Sequence, residues 1–205
     1  MNKTKTAGLI VSAGLSKRMG LLKPLISFDG HPFLAHIILK LNQVCQKITI
    51  VTGHESDSIK NEIKEWLEQK GNELKDKIIW CYNPDYKKGM LTSLQNGLKI
   101  LSNFNWIIYH FVDQPNIPHT FYTKFANQID ESYDWIQPQY SGISGHPILL
   151  SGRLINNILQ LRTNESLRDL NKTYNIKRKM WSCEFPEILQ DYDTPKQLNN
   201  LIENK

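Results

Sequence analysis

Cysteine is scarce in this chain: three in 205 residues, Cys45, Cys81 and Cys183, far apart and with no C-x-x-C pair. An odd number at such spacing argues against a disulfide framework and against a zinc site, and fits a reducing compartment, so a cytoplasmic protein is expected. Long apolar runs are missing as well. No stretch approaches the roughly 20 apolar residues of a membrane span. The short apolar run near the N-terminus passes straight into Ser16-Lys17-Arg18, which argues against a secretory signal. No repeat, low-complexity tract or linker appears, and one domain over residues 1–205 is expected, large enough to bury a core without staples. The net charge of +5 is scattered rather than gathered into an arm. That balance gives no indication of a nucleic-acid partner and fits a small polyanionic substrate equally well.

Two phosphate-binding motifs are also absent. Gly14 and Gly20 do not stand at P-loop spacing and are followed by Leu21, and no G-x-G-x-x-G occurs. The stretch from Ala7 to Lys23 nevertheless has its own logic. A buried strand rich in small and β-branched residues, including Ile10 and Val11, breaks at Gly14 into a loop carrying Ser16, Arg18, Gly20 and Lys23. Glycines let backbone N–H groups approach a ligand, and a guanidinium and an ammonium a few residues apart neutralise a polyphosphate. The pattern reads as a triphosphate site or, more plainly, as a solvated surface turn.

Along the chain, apolar runs and three-four spacings alternate. Strands are expected at Lys47–Gly53, Lys77–Tyr82 and Asn105–Val112, with later ones at Asp134–Pro138, His146–Leu150 and Lys177–Cys183. An extended connector is expected from Pro24 to Gly30. Helices are expected from His31 through Val44, over Ser56–Lys70 and Met90–Ser102, from Pro118 to about Ile129, near Gly152–Leu161 and Ser166–Tyr174, and after a Thr194 cap with Pro195 in first position. Alternation of strand and helix is an α/β signature, and a strand as uniformly apolar as Asn105–Val112 belongs at the centre of a mostly parallel sheet with helices above and below. Trp80, Trp106 and Trp135 read as core, and Lys172, Lys177, Arg178 and Lys179 as a solvated face.

Ligands of open α/β sheets sit at the carboxyl ends of the strands, where the first loop, the Asn83–Ser93 stretch and Asp113 all emerge. Asp113, followed by Gln114-Pro115, is either turn punctuation or one of the hard oxygen ligands that Mg²⁺ requires. In Asp191-Tyr192-Asp193 an extended backbone puts both carboxylates on one side, either for a metal or in support of the last helix. Ser93 is either a hydrogen-bonding group for a base or ribose or a helix cap.

Six stretches carry a resemblance: Ser12 to Lys23, Val51-Thr-Gly-His54, Asn83 to Leu94, Asp113-Gln-Pro115, Gly145-His-Pro147 and Asp191-Tyr-Asp-Thr-Pro195. In this order the chain resembles the molybdenum-cofactor nucleotidylyltransferases, the MobA-like NTP transferases, and within them the CTP:molybdopterin cytidylyltransferases. It departs from them at Val11-Ser12, where Leu-Ala is usual. The resemblance implies a three-layer α/β/α, Rossmann-like domain of the nucleotide-diphospho-sugar transferase (GT-A-like) type. It implies nucleotide contacts from Ala13, Gly14, Leu15, Ser16, Arg18, Lys23, Gly89 and Ser93, with Arg18, Lys23 and Asp113 catalytic. Mg²⁺ would be held by Asp113 and Asp193, and His146 would stand on the acceptor side. The implied reaction moves CMP from CTP, or a nucleotide from another NTP, to the phosphate of a molybdopterin-type acceptor and releases pyrophosphate; a molybdoenzyme is the implied partner. Ala13 stands where the guanylyl branch has a second glycine, and its Cβ narrows the pocket toward a pyrimidine. The alternatives are a transferase of this fold acting on a sugar or polyol phosphate, and a non-catalytic nucleotide-binding delivery factor for a molybdoenzyme.

Overall fold

The structure is a computed structural model that describes residues 4–15 and 19–203. The first strand, β1 (Thr6–Ser12), leads through a 3₁₀ turn at Lys23–Leu25 to a small hairpin, β2 (Ser27–Phe28) and β3 (His31–Pro32). Then follow α1 (Phe33–Leu41), β4 (Lys47–Thr52), α2 (Ser56–Glu68), α3 (Asn72–Lys77), β5 (Ile78–Tyr82), α4 (Met90–Ile100), β6 (Trp106–Phe111) and α5 (His119–Ala126). The last part holds β7 (Trp135–Tyr140), β8 (Ile143–Ser144), β9 (Ile148–Ser151), α6 (Ile155–Leu159), α7 (Leu170–Thr173), β10 (Arg178–Ser182) and α8 (Pro195–Glu203).

The main sheet runs β10-β7-β9-β6-β1-β4-β5, with β8 added on β7. Strands β6, β1, β4 and β5 are parallel, in registers such as Leu9 opposite Thr49 and Leu9 opposite Tyr109. β10 is parallel to β7, whereas β9 runs antiparallel to both β6 and β7. Successive residues of β1 face opposite layers. Ile10 joins Leu34, Ile37 and Ile38 of α1, Ile59 and Ile63 of α2 and Phe121 and Phe125 of α5, whereas Leu9 joins Leu94 and Leu98 of α4 and Ile155 and Ile158 of α6. The sheet lies between two helical layers, the three-layer α/β/α architecture expected of it. β6 is central and its first five residues are buried.

The expected elements form, with differences at their edges. The connector over 24–30 is largely a hairpin: Asp29 and Gly30 both have positive φ (50° and 77°), the two-residue turn that Asp-Gly favours because its twist matches that of the strands. α1 begins at Phe33 with Pro32 as its cap, and ends before Val44, which still packs on the core. Pro118 likewise caps α5 instead of opening it. A short helix, α3, precedes β5 where no element was expected. Trp106 and Trp135 are core residues, at 0% and 5% exposure. The basic face is partly a correction: Arg178 stacks over the Trp135 ring at 4.2 Å, and Lys179 donates to the Gln128 carbonyl, because β10 runs beside β7 and brings both onto its neighbours.

Candidate active site

β4 and β5 lie on one side of β1 and β6 on the other, so the chain changes direction between β1 and β6. At such a switch point the loops leaving the carboxyl ends part and open a crevice. A cavity of about 220 Å³ is found there, lined by Ser12 at the end of β1 with Ala13 and Gly14 after it, by Lys23 and Pro24, by Tyr86, Met90 and Ser93, and by Phe111 at the end of β6 with Val112 and Asp113 after it. The structure thus brings Ala13, Gly14, Lys23, Ser93 and Asp113 to one cavity. Gly89 stands one residue before α4 with φ of 122°, a backbone conformation that glycine tolerates, and it delivers Met90 and Ser93 to the cavity without lining it. Leu15 does not line it either. Ser16 and Arg18 lie outside the described residues.

Lys23 ties the acidic groups together. Its ammonium donates to Asp193 Oδ1 and stands 3.8 Å from Asp113 Oδ2, with the side chains only 12%, 17% and 24% exposed for Lys23, Asp193 and Asp113. Among the described residues, Asp113 Oδ1 is buried with no hydrogen-bond partner. Burial raises the Asp113 carboxyl to about 6; the Lys23 charge opposes the rise, and Asp193 and Asp191 add to it. Among the described residues no group of three or more His, Cys, Asp or Glu gathers as a metal cage. Two carboxylates, one with an orphaned buried oxygen, nonetheless suit a hard cation that takes its remaining oxygens from substrate phosphates and water.

The segment before α8 holds these parts in register. The Tyr192 N–H donates to the Asp113 carbonyl at 2.9 Å, so the chain that carries Asp193 is pinned to the loop that carries Asp113. One turn earlier, the Ile188 carbonyl accepts from the His146 N–H at 3.0 Å and from Gln114 Nε2 at 3.2 Å. A Cβ on Gly145 would lie 2.5 Å from that oxygen, which accounts for glycine in Gly-His-Pro. The His146 ring packs on Phe111 at 4.6 Å, next to the cavity rather than in its lining. Burial lowers its pKa to about 4, with Arg168 assisting, so it is a neutral imidazole at physiological pH. Thr194 caps α8 as expected: its Oγ1 accepts from the Gln197 N–H at 3.3 Å. Behind the Asp113 loop, buried Lys40 of α1 donates to the Pro115 carbonyl, and burial lowers its pKa to about 8.

Sequence reasoning missed Tyr86 and Met90 as cavity walls. Tyr86 reaches the cavity because residue 53 is glycine: a Cβ there would meet Tyr86 Cβ at 2.5 Å and the Ala13 carbonyl at 2.9 Å. The Gly in Val51-Thr-Gly-His54 was the available signal.

A family model described as the MobA-like NTP transferase domain matches residues 8–178. The chain belongs to this family. It is 28% identical over 190 residues to the molybdenum cofactor cytidylyltransferase of Escherichia coli K12, covering 91% of this chain and 90% of that protein. It is also 27% identical over 140 residues to a probable molybdenum cofactor guanylyltransferase of Bacillus cereus Q1, covering 68% of this chain and 64% of that one. Among solved structures, a Mycobacterium tuberculosis H37Rv protein in complex with manganese superposes with a TM-score of 0.75 at 14% identity, over 98% of this chain and 100% of that one. The transferase is therefore a nucleotidyltransferase on the fold of that class, and its described residues contain no helix long and apolar enough to cross a membrane.

Proposed function

We propose that the transferase, as one nucleotidyltransferase domain, moves CMP from CTP to the terminal phosphate of a molybdopterin-type acceptor. An acceptor phosphate oxygen forms the new P–O bond to the α-phosphorus while the bond to the β-phosphate oxygen breaks, and pyrophosphate leaves in line. A phosphate nucleophile is already ionised at neutral pH, so no general base is required, and the protein's work is positioning and charge neutralisation. Lys23, and Arg18 by its place in the same loop, take the charge of the β- and γ-phosphates. The observation that carries this reading is the orphaned, buried Asp113 Oδ1 beside Lys23 and Asp193 at the mouth of the switch-point cavity.

We assign a divalent cation, Mg²⁺, to Asp113 and Asp193; when bound it supplies Lewis-acid polarisation of the phosphate oxygens. The manganese in the structural neighbour agrees with a divalent ion. Cytosine is favoured by the Ala13 Cβ in a cavity of only about 220 Å³, and the named activity of the Escherichia coli relative points the same way. The neutral His146 on Phe111 is placed on the acceptor side, and a molybdoenzyme receiving the product in the cytoplasm is the partner that chemistry implies.

The test is pyrophosphate release with Mg²⁺ and molybdopterin-type acceptor, comparing CTP, GTP, ATP and UTP. A CTP-selective signal that vanishes in Asp113→Ala supports the reading. A GTP preference overturns the base assignment, and silence with all four overturns the acceptor.

A further inference from the structure

Asn83, fully buried at the end of β5, has an amide whose direction is set by its neighbours. Its Oδ1 accepts the backbone N–H of Asp85 at 3.0 Å and Asn96 Nδ2 at 2.8 Å. A backbone N–H can only donate, so the oxygen end of the amide is identified and Nδ2 must donate. It does so twice, to Thr92 Oγ1 and to Ser93 Oγ, each at 2.9 Å. Ser93 Oγ is therefore an acceptor on its protein side. A helical serine ordinarily turns its hydrogen back on the carbonyl four residues earlier. Here that carbonyl is Gly89's, which accepts from the Thr92 N–H at 3.3 Å and competes with the Asp85 carbonyl (2.8 Å against 3.1 Å) for the single Thr92 hydroxyl hydrogen. The hydroxyl hydrogen of Ser93 has no acceptor among the described residues, while Ser93 itself is 2% exposed and lines the cavity.

We propose that Asn83 is a positioning residue that makes Ser93 a one-way hydrogen-bond donor into the base pocket, and that the atom it meets is N3 of cytosine. This rests on the CTP reading above. Cytosine N3 carries a lone pair where uracil carries N–H; Ser93 Oγ keeps a second lone pair that could accept that N–H, but only by leaving its own buried hydrogen without an acceptor, so a hydroxyl held by Asn83 favours cytosine, whereas a freely rotating one would accommodate both. A buried donor left without its acceptor is what makes such discrimination strong.

Calorimetric binding without acceptor tests this, using CTP, UTP, GTP and 3-deaza-CTP, in which a C–H replaces N3. The wild type is expected to bind CTP about tenfold tighter than UTP or 3-deaza-CTP. Ser93→Ala should bind CTP and 3-deaza-CTP alike. Asn83→Asp presents a carboxylate that accepts the Ser93 hydrogen, and should lower CTP affinity to the wild type's 3-deaza-CTP level while leaving 3-deaza-CTP unchanged. If Asn83→Asp fails to fold, Asn83→Ala decides: with the Ser93 hydroxyl released, UTP should gain on CTP relative to the wild type, and an unchanged CTP-to-UTP ratio overturns the role of Asn83. A uniform loss for every nucleotide in Ser93→Ala, or a wild type indifferent to the N3 replacement, overturns the proposal while CTP selectivity over GTP stands. GTP binding tighter than CTP instead overturns the cytidylyl reading itself.

Discussion

Replacing Asp113 by Asn should stabilise the fold while abolishing turnover. Burial holds the Asp113 carboxyl at about 6 against an ordinary 3.8, so the folded chain binds this proton more tightly than the unfolded chain does. The group's contribution to stability is present in full below pH 3.8, falls as pH rises, and is lost above about 6. At about 1.4 kcal/mol per tenfold change in proton affinity, the raised pKa costs the folded state, relative to strongly acid pH, about 3 kcal/mol at pH 8 and about 1.6 at pH 5. Asn keeps the shape and removes the titration. In urea unfolding followed by tryptophan fluorescence with EDTA present, Asp113→Asn should gain on the wild type as pH rises, by about 1.4 kcal/mol between pH 5 and pH 8. Millimolar Mg²⁺ should restore wild-type stability at pH 8 and leave the variant unmoved, while pyrophosphate release falls at least a hundredfold. An Asn variant less stable at pH 8, or a gap that does not widen with pH, would refute the claim that Asp113 is held for function at a cost to the fold.

Gly145→Ala forces a Cβ against the Ile188 carbonyl, and should cost about 1–3 kcal/mol in thermal or urea unfolding. It should also lower kcat, because that carbonyl anchors Gln114 and His146; unchanged stability and turnover would remove the segment from its organising role. Lys40, held near 8 by burial, should make wild-type stability rise with pH between about 8 and 10.5, since the unfolded chain binds more protons there. Lys40→Met should abolish that rise and increase stability at pH 7, and a variant that keeps the alkaline rise would place its cause elsewhere. Ala13→Gly removes the Ala13 Cβ from the cavity wall, and competition assays should show GTP gaining about tenfold against CTP; no gain would leave base choice to Ser93 and Tyr86.

What the sequence reveals of this molecule depends on how local each cause is. β1, β4 and β6 are legible because each is a continuous apolar run, and a central parallel strand needs nothing else. The direction of β9 was not: Ile148 to Leu150 would be equally apolar in either direction, and only its pairing with β6 and β7 fixes it as antiparallel. Lys40 counts as a surface charge by residue type, yet it falls seven residues after Phe33 on the inward stripe of α1, and that periodicity was the better guide. Asp113 and Asp193 stood out as candidates because Asp113 follows the end of the central strand and Asp193 precedes a capped helix, both short-range signals, but those signals left turn and cap roles equally open, and only the family resemblance pointed to a metal.

The cavity proposed to hold the base is a different case, since its properties are relational. Ser93 at a helix start reads as a cap, but α4 begins at Met90, and the Ser93 hydroxyl accepts from Asn83, ten residues earlier and at the end of another element. Tyr86 becomes a wall only because Gly53 lets it approach Ala13. A glycine in one stretch, an amide in a second and a hydroxyl in a third produce one cavity wall that none of them specifies alone. Substitutions there should therefore couple. Gly53→Ala displaces Tyr86 from its place in the cavity wall, and its effect on nucleotide selectivity should depend on whether residue 13 is alanine or glycine, so that a double-mutant cycle on relative kcat/KM departs from additivity. Additive effects at these two positions would mean that Ala13 and Tyr86 act on the base independently.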